Sequence, residues 1–213
     1  MKKNTSLIPI AIVAFILVFM FSLLGVIREF VNSSFIIQID NQIENFLYNL
    51  RTDILTSFFY FITLFAEPVT TFFASIAISI YIWLHKNRIF LFIFWFSMTF
   101  GLGLTYLGKL FFQKSRPDLA IRLVIENSYT FPSAHASVVV LLYGFITYLI
   151  FRTTRYFTVK LLTILSFVAL VILVDLSRLY LGVHYLSDVI AGNIIALLVL
   201  VLSISIAEFF VKE

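Results

Sequence analysis

The stretch SRLYLGVHYLSD, residues 177–188, joins two apolar runs at about 161–176 and 188–210. Its reading decides the fold. If those runs are membrane helices, Arg178, His184 and Asp188 lie at a membrane face, where ionisable groups are costly and need a partner or a task. Composition supports that reading: 62% of the 213 residues are hydrophobic and 12% are charged, and the mean hydropathy is +1.06. A soluble domain carries about 25% charged residues. The chain is therefore expected to be an all-α, polytopic membrane protein.

Working outward, further apolar runs occur at about 7–27, 68–84, 89–107 and 136–151. A helix needs about 20 residues to cross roughly 30 Å of hydrocarbon, so the pattern predicts a bundle of six transmembrane helices, one domain over residues 1–213. The run from Leu7 to Ile27 follows Lys2 and Lys3 but lacks a clear small-residue cleavage site, which favours an uncleaved span over a signal peptide. Residues 28–53 set Ile36, Ile39, Ile43, Phe46, Leu47 and Leu50 at near-helical spacing among Asp40, Glu44 and Arg51, the pattern of an amphipathic interfacial helix. Glu67-Pro68 divides the apolar region 54–84, leaving 54–66 as a partly buried lead-in to the span after Pro68.

With Lys2 and Lys3 set inside, Lys86, Arg88, Arg152, Arg155, Lys160 and Lys212 fall on the same side; Arg28, Arg51, Lys109, Lys114, Arg116, Arg122 and Arg178 fall on the other. Eight against seven is no bias, but Lys109, Arg116 and Arg178 belong to polar motifs with a separate role, and without them the count is eight against four. That puts both termini in the cytoplasm. The formal net charge of +4 is then an excess of loop charge, and no basic run suits nucleic acid. The absence of cysteine excludes disulfides, thiol chemistry and cysteine-held metals.

Three polar clusters interrupt the apolar pattern: KLFFQKSRPD (109–118), FPSAHAS (131–137) and the opening stretch. The six-span topology places all three on the outer face. Their chemistry suits a phosphate monoester. Lys109, Arg116 and Arg178 can offset phosphoryl charge, the arginines through paired donors matched to phosphate oxygens. Ser133 and the backbone N–H groups of Ala134 and His135, at the start of a helix, add neutral donors and the positive end of the dipole. His184 and Asp188, at i and i+4, share one face, so the carboxylate can accept the Nδ1 proton and leave Nε2 to attack phosphorus. His135 remains as the acid for the leaving oxygen. The clusters lack the group of carboxylates that a magnesium site uses, so no metal is expected.

Taken singly, these residues have plainer readings. Lys109 or Arg116 alone would snorkel to the headgroups. His85 is a structural interfacial histidine. Asp175 would pair with Arg178 one turn later, Glu67 would mark the helix break at Pro68, and Tyr180 and Tyr185 fit an aromatic belt.

The joint pattern shifts the balance. Lys109 with Arg116-Pro117 reads K-x6-R-P, Pro132 to His135 reads P-S-x-H, and Ser177 to Asp188 reads S-R-x5-H-x3-D. In that order they resemble the signature of the phosphatidic acid phosphatase type 2 family of membrane lipid phosphatases, over about residues 40–195. The resemblance implies a six-helix bundle in the cell membrane with an extracytoplasmic active site, no cofactor, and a lipid phosphate substrate taken from among membrane lipids. It implies His184 as the nucleophile that becomes phosphohistidine, Asp188 as its orienting partner, His135 as general acid, and Lys109, Arg116, Ser133 and Arg178 as phosphate ligands. Ala134 stands where the family usually has glycine, which bears on rate and substrate fit. The expected activity is hydrolysis of a lipid phosphate or diphosphate, such as an isoprenoid diphosphate, phosphatidylglycerol phosphate or phosphatidic acid. Two alternatives stand beside it: phosphoryl transfer to another lipid or sugar, and non-catalytic lipid binding or transport. The latter predicts functional polar residues near the bilayer midplane, whereas these clusters sit at one surface. No motif specifies the lipid or an oligomeric state.

Overall fold

The structure is a computed structural model that describes residues 25–85 and 88–211; among these the chain is helical, with no strand. The helices are α1 (Ser34–Asn49), α2 (Asp53–Thr63), α3 (Pro68–Leu84), α4 (Arg88–Phe112), α5 (Ala134–Thr153), α6 (Phe157–Tyr180) and α7 (Leu186–Val211), with single 3-10 turns at Leu64–Ala66 and Leu119–Ile121. The chain divides into two units, Met1–Ile39 and Asp40–Glu213. In the first, residues 25–31 are helical, and the Ser33 hydroxyl accepts from Ile36 N at 3.4 Å at the start of α1.

Within the second unit, α4 to α7 are each long and apolar enough to cross a membrane, and α2 with α3, bent by 43° at their junction, pass as one further span. The chain is thus a multi-pass membrane protein by length and hydropathy. The expected span Leu7–Ile27 lies, apart from its last residues, outside the described residues. The break between α2 and α3 has a local cause. Glu67 is extended (φ −68°, ψ 147°) because Pro68 disfavours the helical region for its predecessor, and Pro68 then opens α3 at N1.

α4 and α6 run a turn past the apolar stretches that announce them, to Phe112 and Tyr180. The final turn of α6, Ser177 to Tyr180 with Arg178, is buried in protein, and in that of α4 Lys109 is buried while Leu110 beside it stays exposed. Here the aromatic-belt expectation for Tyr180 is corrected: it is 1% exposed, and its hydroxyl accepts from Thr52 N at 3.0 Å. Phe59 of α2 packs on its ring. Tyr185 is half-buried, with the Lys114 ammonium 4.5 Å from its ring centre.

The core lies among α4, α5 and α7, where Phe94, Leu141, Leu142, Phe145 and Ala196 are fully buried. Only 6% of the apolar window of α6 is buried. Such a surface needs lipid against it. At the other extreme, α7 approaches the start of α5 so closely that a Cβ on Gly192 would lie 2.5 Å from the Ser133 carbonyl oxygen. Gly182, at φ +70°, makes the turn between α6 and α7, a backbone region that favours glycine.

Candidate active site

Helix direction gathers the three motifs at one end of the unit: the C-termini of α4 and α6 and the N-termini of α5 and α7 meet there. Backbone hydrogen bonds tie the intervening loops together, with Thr130 N donating to Lys114 O at 3.0 Å, Ser133 N to Asp188 O at 3.0 Å, and Leu123 N to Leu181 O at 2.9 Å. Each pair links two different motifs or the loop between them. Ser133 also caps α5, its hydroxyl accepting from Ala136 N at 3.4 Å.

His184 and Asp188 form a buried pair, the carboxylate Oδ2 lying 3.4 Å from the imidazole Nδ1. The same Oδ2 accepts from Thr130 Oγ1 at 2.5 Å and from Tyr185 N at 2.8 Å. Thr130 Oγ1 is also 3.1 Å from His184 Nδ1. The carboxylate and hydroxyl together assign the ring proton to Nδ1, leaving Nε2 with its lone pair. Burial pushes the His184 pKa down to about 3, against the opposing pull of Asp188. The ring is neutral at physiological pH.

Arg116 and Arg178 converge beside it. Arg116 Nη1 is 3.4 Å from His184 Nε2 and donates to Val183 O at 2.6 Å, while Nε donates to Ser128 O at 2.7 Å. Arg178, wholly buried, donates from Nη1 to Thr63 Oγ1 at 2.8 Å, and its Nε is buried without a hydrogen-bond partner. Between the two guanidinium groups sits the Glu126 carboxylate, accepting from Arg116 Nη2 at 3.0 Å through Oε2 and from Arg178 Nη2 through Oε1. Burial alone would raise the Glu126 carboxyl, but Arg178 and Arg116 outweigh it and hold it below the usual range.

The remaining predicted residues are placed differently. Lys109 points its ammonium at backbone carbonyls, donating to Tyr129 O and to Thr130 O at 3.3 Å, so it braces the loop before Pro132. His135 Nε2 lies 3.2 Å from Glu67 Oε1; Glu67 therefore both precedes the helix break and partners a motif histidine. Asp175 does not pair with Arg178. Its Oδ2 accepts from Asn193 Nδ2 at 2.6 Å, because it faces α7 while Arg178 turns inward to Thr63 and Glu126.

Sequence reasoning passed over Glu126 and Thr130. One signal was there: Glu126 is the only acidic residue between Asp118 and Asp175. Among the described residues, no three His, Asp or Glu side chains group as a metal site would.

A profile of the PAP2 superfamily matches residues 90–212. Phosphatidylglycerophosphatase B of Bacillus subtilis (strain 168) is 36% identical over 92 residues, 42% of this chain and 44% of that protein, so the match spans less than half of the relative. Two crystal structures share the fold. One is the transmembrane PAP2 type phosphatidylglycerolphosphate phosphatase from Bacillus subtilis (TM-score 0.76, 22% identity, 90% of this chain and 95% of the other). The other is Aquifex aeolicus LpxE (TM-score 0.62, 18% identity, 78% and 94%). With the profile covering more than half of the chain and the three motifs assembled at one end of a shared helical fold, this chain belongs to the PAP2 superfamily.

Proposed function

We propose that the chain is a metal-independent lipid phosphatase that hydrolyses a lipid phosphate or diphosphate through a phosphohistidine on His184. The observation that carries this reading is the Glu126 carboxylate gripped by Arg116 and Arg178 beside His184 Nε2. A site that holds a two-oxygen anion next to an unprotonated imidazole nitrogen is suited to phosphoryl transfer. In the reaction, phosphate displaces Glu126 and lies against the two guanidinium groups, the Arg178 Nε, Ser133 and the N–H groups opening α5, with Lys109 adding positive charge. His184 Nε2 forms a bond to phosphorus as the bond to the lipid oxygen breaks, and His135 donates a proton to that oxygen. Water then attacks phosphorus, His135 takes its proton, the N–P bond breaks, and phosphate leaves with His184 neutral again. Asp188 holds the ring proton at Nδ1 throughout.

A groove of about 340 Å³ between α3, α4 and α5, lined by Ala66, Phe72, Trp95 and Met98, runs to His135. Its size and apolar walls suit a lipid tail, with the headgroup then at the histidine. The name of the Bacillus subtilis relative favours phosphatidylglycerol phosphate within the candidate set. We place this single domain in the cell membrane with six spans, counting Leu7–Ile27, both termini cytoplasmic and the site outside, on the strength of the eight-to-four charge bias.

Phosphate release by the purified protein from a panel of lipid phosphates and diphosphates tests the activity. Turnover should persist in EDTA and vanish, with any trappable phosphoenzyme, in His184→Ala. Lipid binding without release would make the chain a non-catalytic binder, and label passing to an added alcohol a phosphotransferase.

A further inference from the structure

We propose that Lys114 and Asp40 are positioning residues of the reaction, a partly buried charge chain that fixes Asp188 and through it the His184 nucleophile; this rests on the phosphohistidine reading above. Asp188 Oδ2 is fully engaged by Thr130, Tyr185 N and His184. Its other oxygen, Oδ1, is met by Lys114 Nζ at 3.2 Å. That ammonium donates also to Asp40 Oδ2 at 2.9 Å and to Ser187 Oγ at 2.7 Å. An ammonium has three donors, and here all three are taken. Lys114 therefore has no donor left for a phosphate, which separates it from the arginines.

Asp40 is almost fully buried and comes from α1, far from the motifs in sequence. Its Oδ1 accepts from Ser187 N at 2.9 Å and its Oδ2 from Ser187 Oγ at 2.6 Å. Ser187 N is one of the orphan donors in the first turn of α7, one residue before Asp188. Asp40 thus caps the helix that carries Asp188 and anchors the cation that holds Asp188, from outside the motifs.

The chemistry explains why such a chain is useful. When Nε2 bonds to phosphorus the imidazole gains positive charge, and Asp188 must stay ionised and aimed at Nδ1 to stabilise it. A buried carboxylate with one oxygen free could rotate or take up a proton. Lys114 prevents both, and Asp40 keeps Lys114 from being drawn into the phosphate pocket.

The test uses the full chain in detergent with a lipid phosphate substrate and vanadate as the anion probe. Lys114→Met should lower kcat by about 10- to 100-fold, the usual cost of losing an orienting partner, while vanadate inhibition stays within about twofold because the arginines are intact. Asp40→Asn keeps an acceptor for Ser187 N and should lower kcat less. Because Asp40 acts through Lys114, the double variant should be no worse than Lys114→Met alone. Wild-type kcat in Lys114→Met, loss of vanadate binding in parallel with kcat, or multiplying losses in the double variant would each overturn the inference. His184→Ala measured alongside keeps the two questions apart. An active His184→Ala sinks the phosphohistidine reading itself, whereas an inactive one beside an unaffected Lys114→Met sinks only the positioning chain.

Discussion

Burial keeps His184 uncharged, and that has a consequence for stability. Its folded pKa, pushed by burial down to about 3, lies below the ordinary value of about 6.5. The unfolded chain therefore binds this proton more readily between those limits. The stability tied to neutral His184 is complete above about pH 6.5 and is lost as pH falls towards 3. Unfolding temperatures measured in detergent from pH 7 to 4 should drop further for wild type than for His184→Gln; equal drops would mean that the histidine is already protonated when folded. Glu126 poses the complementary question of competition. Its carboxylate occupies both arginines, so Glu126→Gln should tighten vanadate binding by about tenfold, the scale of one charge-assisted hydrogen bond. Weaker binding would show instead that Glu126 holds the two guanidinium groups in place for the anion.

At the scale of elements, the meeting of α5 and α7 sets the site, and Gly192 is what allows it. A methyl group there would meet the Ser133 carbonyl oxygen, a backbone atom that cannot turn aside, and the Ala136 Cβ at 3.1 Å. Gly192→Ala should cost about 1–3 kcal/mol in stability, typical of overpacking, and most of the activity. Gly103 has open space around its Cβ position, so Gly103→Ala on α4 should leave both unchanged, and comparable losses at the two sites would refute the close-approach argument. The helices themselves were legible in the sequence because apolar runs of span length leave few alternatives, and the three motifs marked which helix ends carry chemistry. The loop over 113–133 was not. It has no periodicity, so nothing local told that Glu126 would settle between Arg116 and Arg178, or that Thr130 would sit between His184 and Asp188. Asp40 was legible only as a polar position on an amphipathic helix, since its partner Ser187 is 147 residues away and such a contact leaves no mark in local pattern.

The whole molecule faces the question of sidedness, which decides which leaflet supplies the substrate. All three motifs share one end of the helices, so a single orientation fixes them together. Our proposal that this end is outside rests on the sequence count for the expected six-span topology: once Lys109, Arg116 and Arg178 are assigned to the site, it assigns eight basic residues to the cytoplasmic side and four to the other, and basic loops stay in the cytoplasm. The chain has no cysteine, so single cysteines can report directly. Leu119, on the 3-10 turn after the first motif, and Arg155, in the loop between α5 and α6, are both exposed, and neither belongs to the site. Lys114 would be a poor choice because its side chain is held in the Asp40 and Asp188 ion pairs. In intact cells, a membrane-impermeant maleimide should label Leu119→Cys and spare Arg155→Cys, with both labelled after permeabilisation. Labelling of Arg155→Cys alone in intact cells would invert the topology, moving the substrate to the inner leaflet while leaving the chemistry we propose at His184 unchanged.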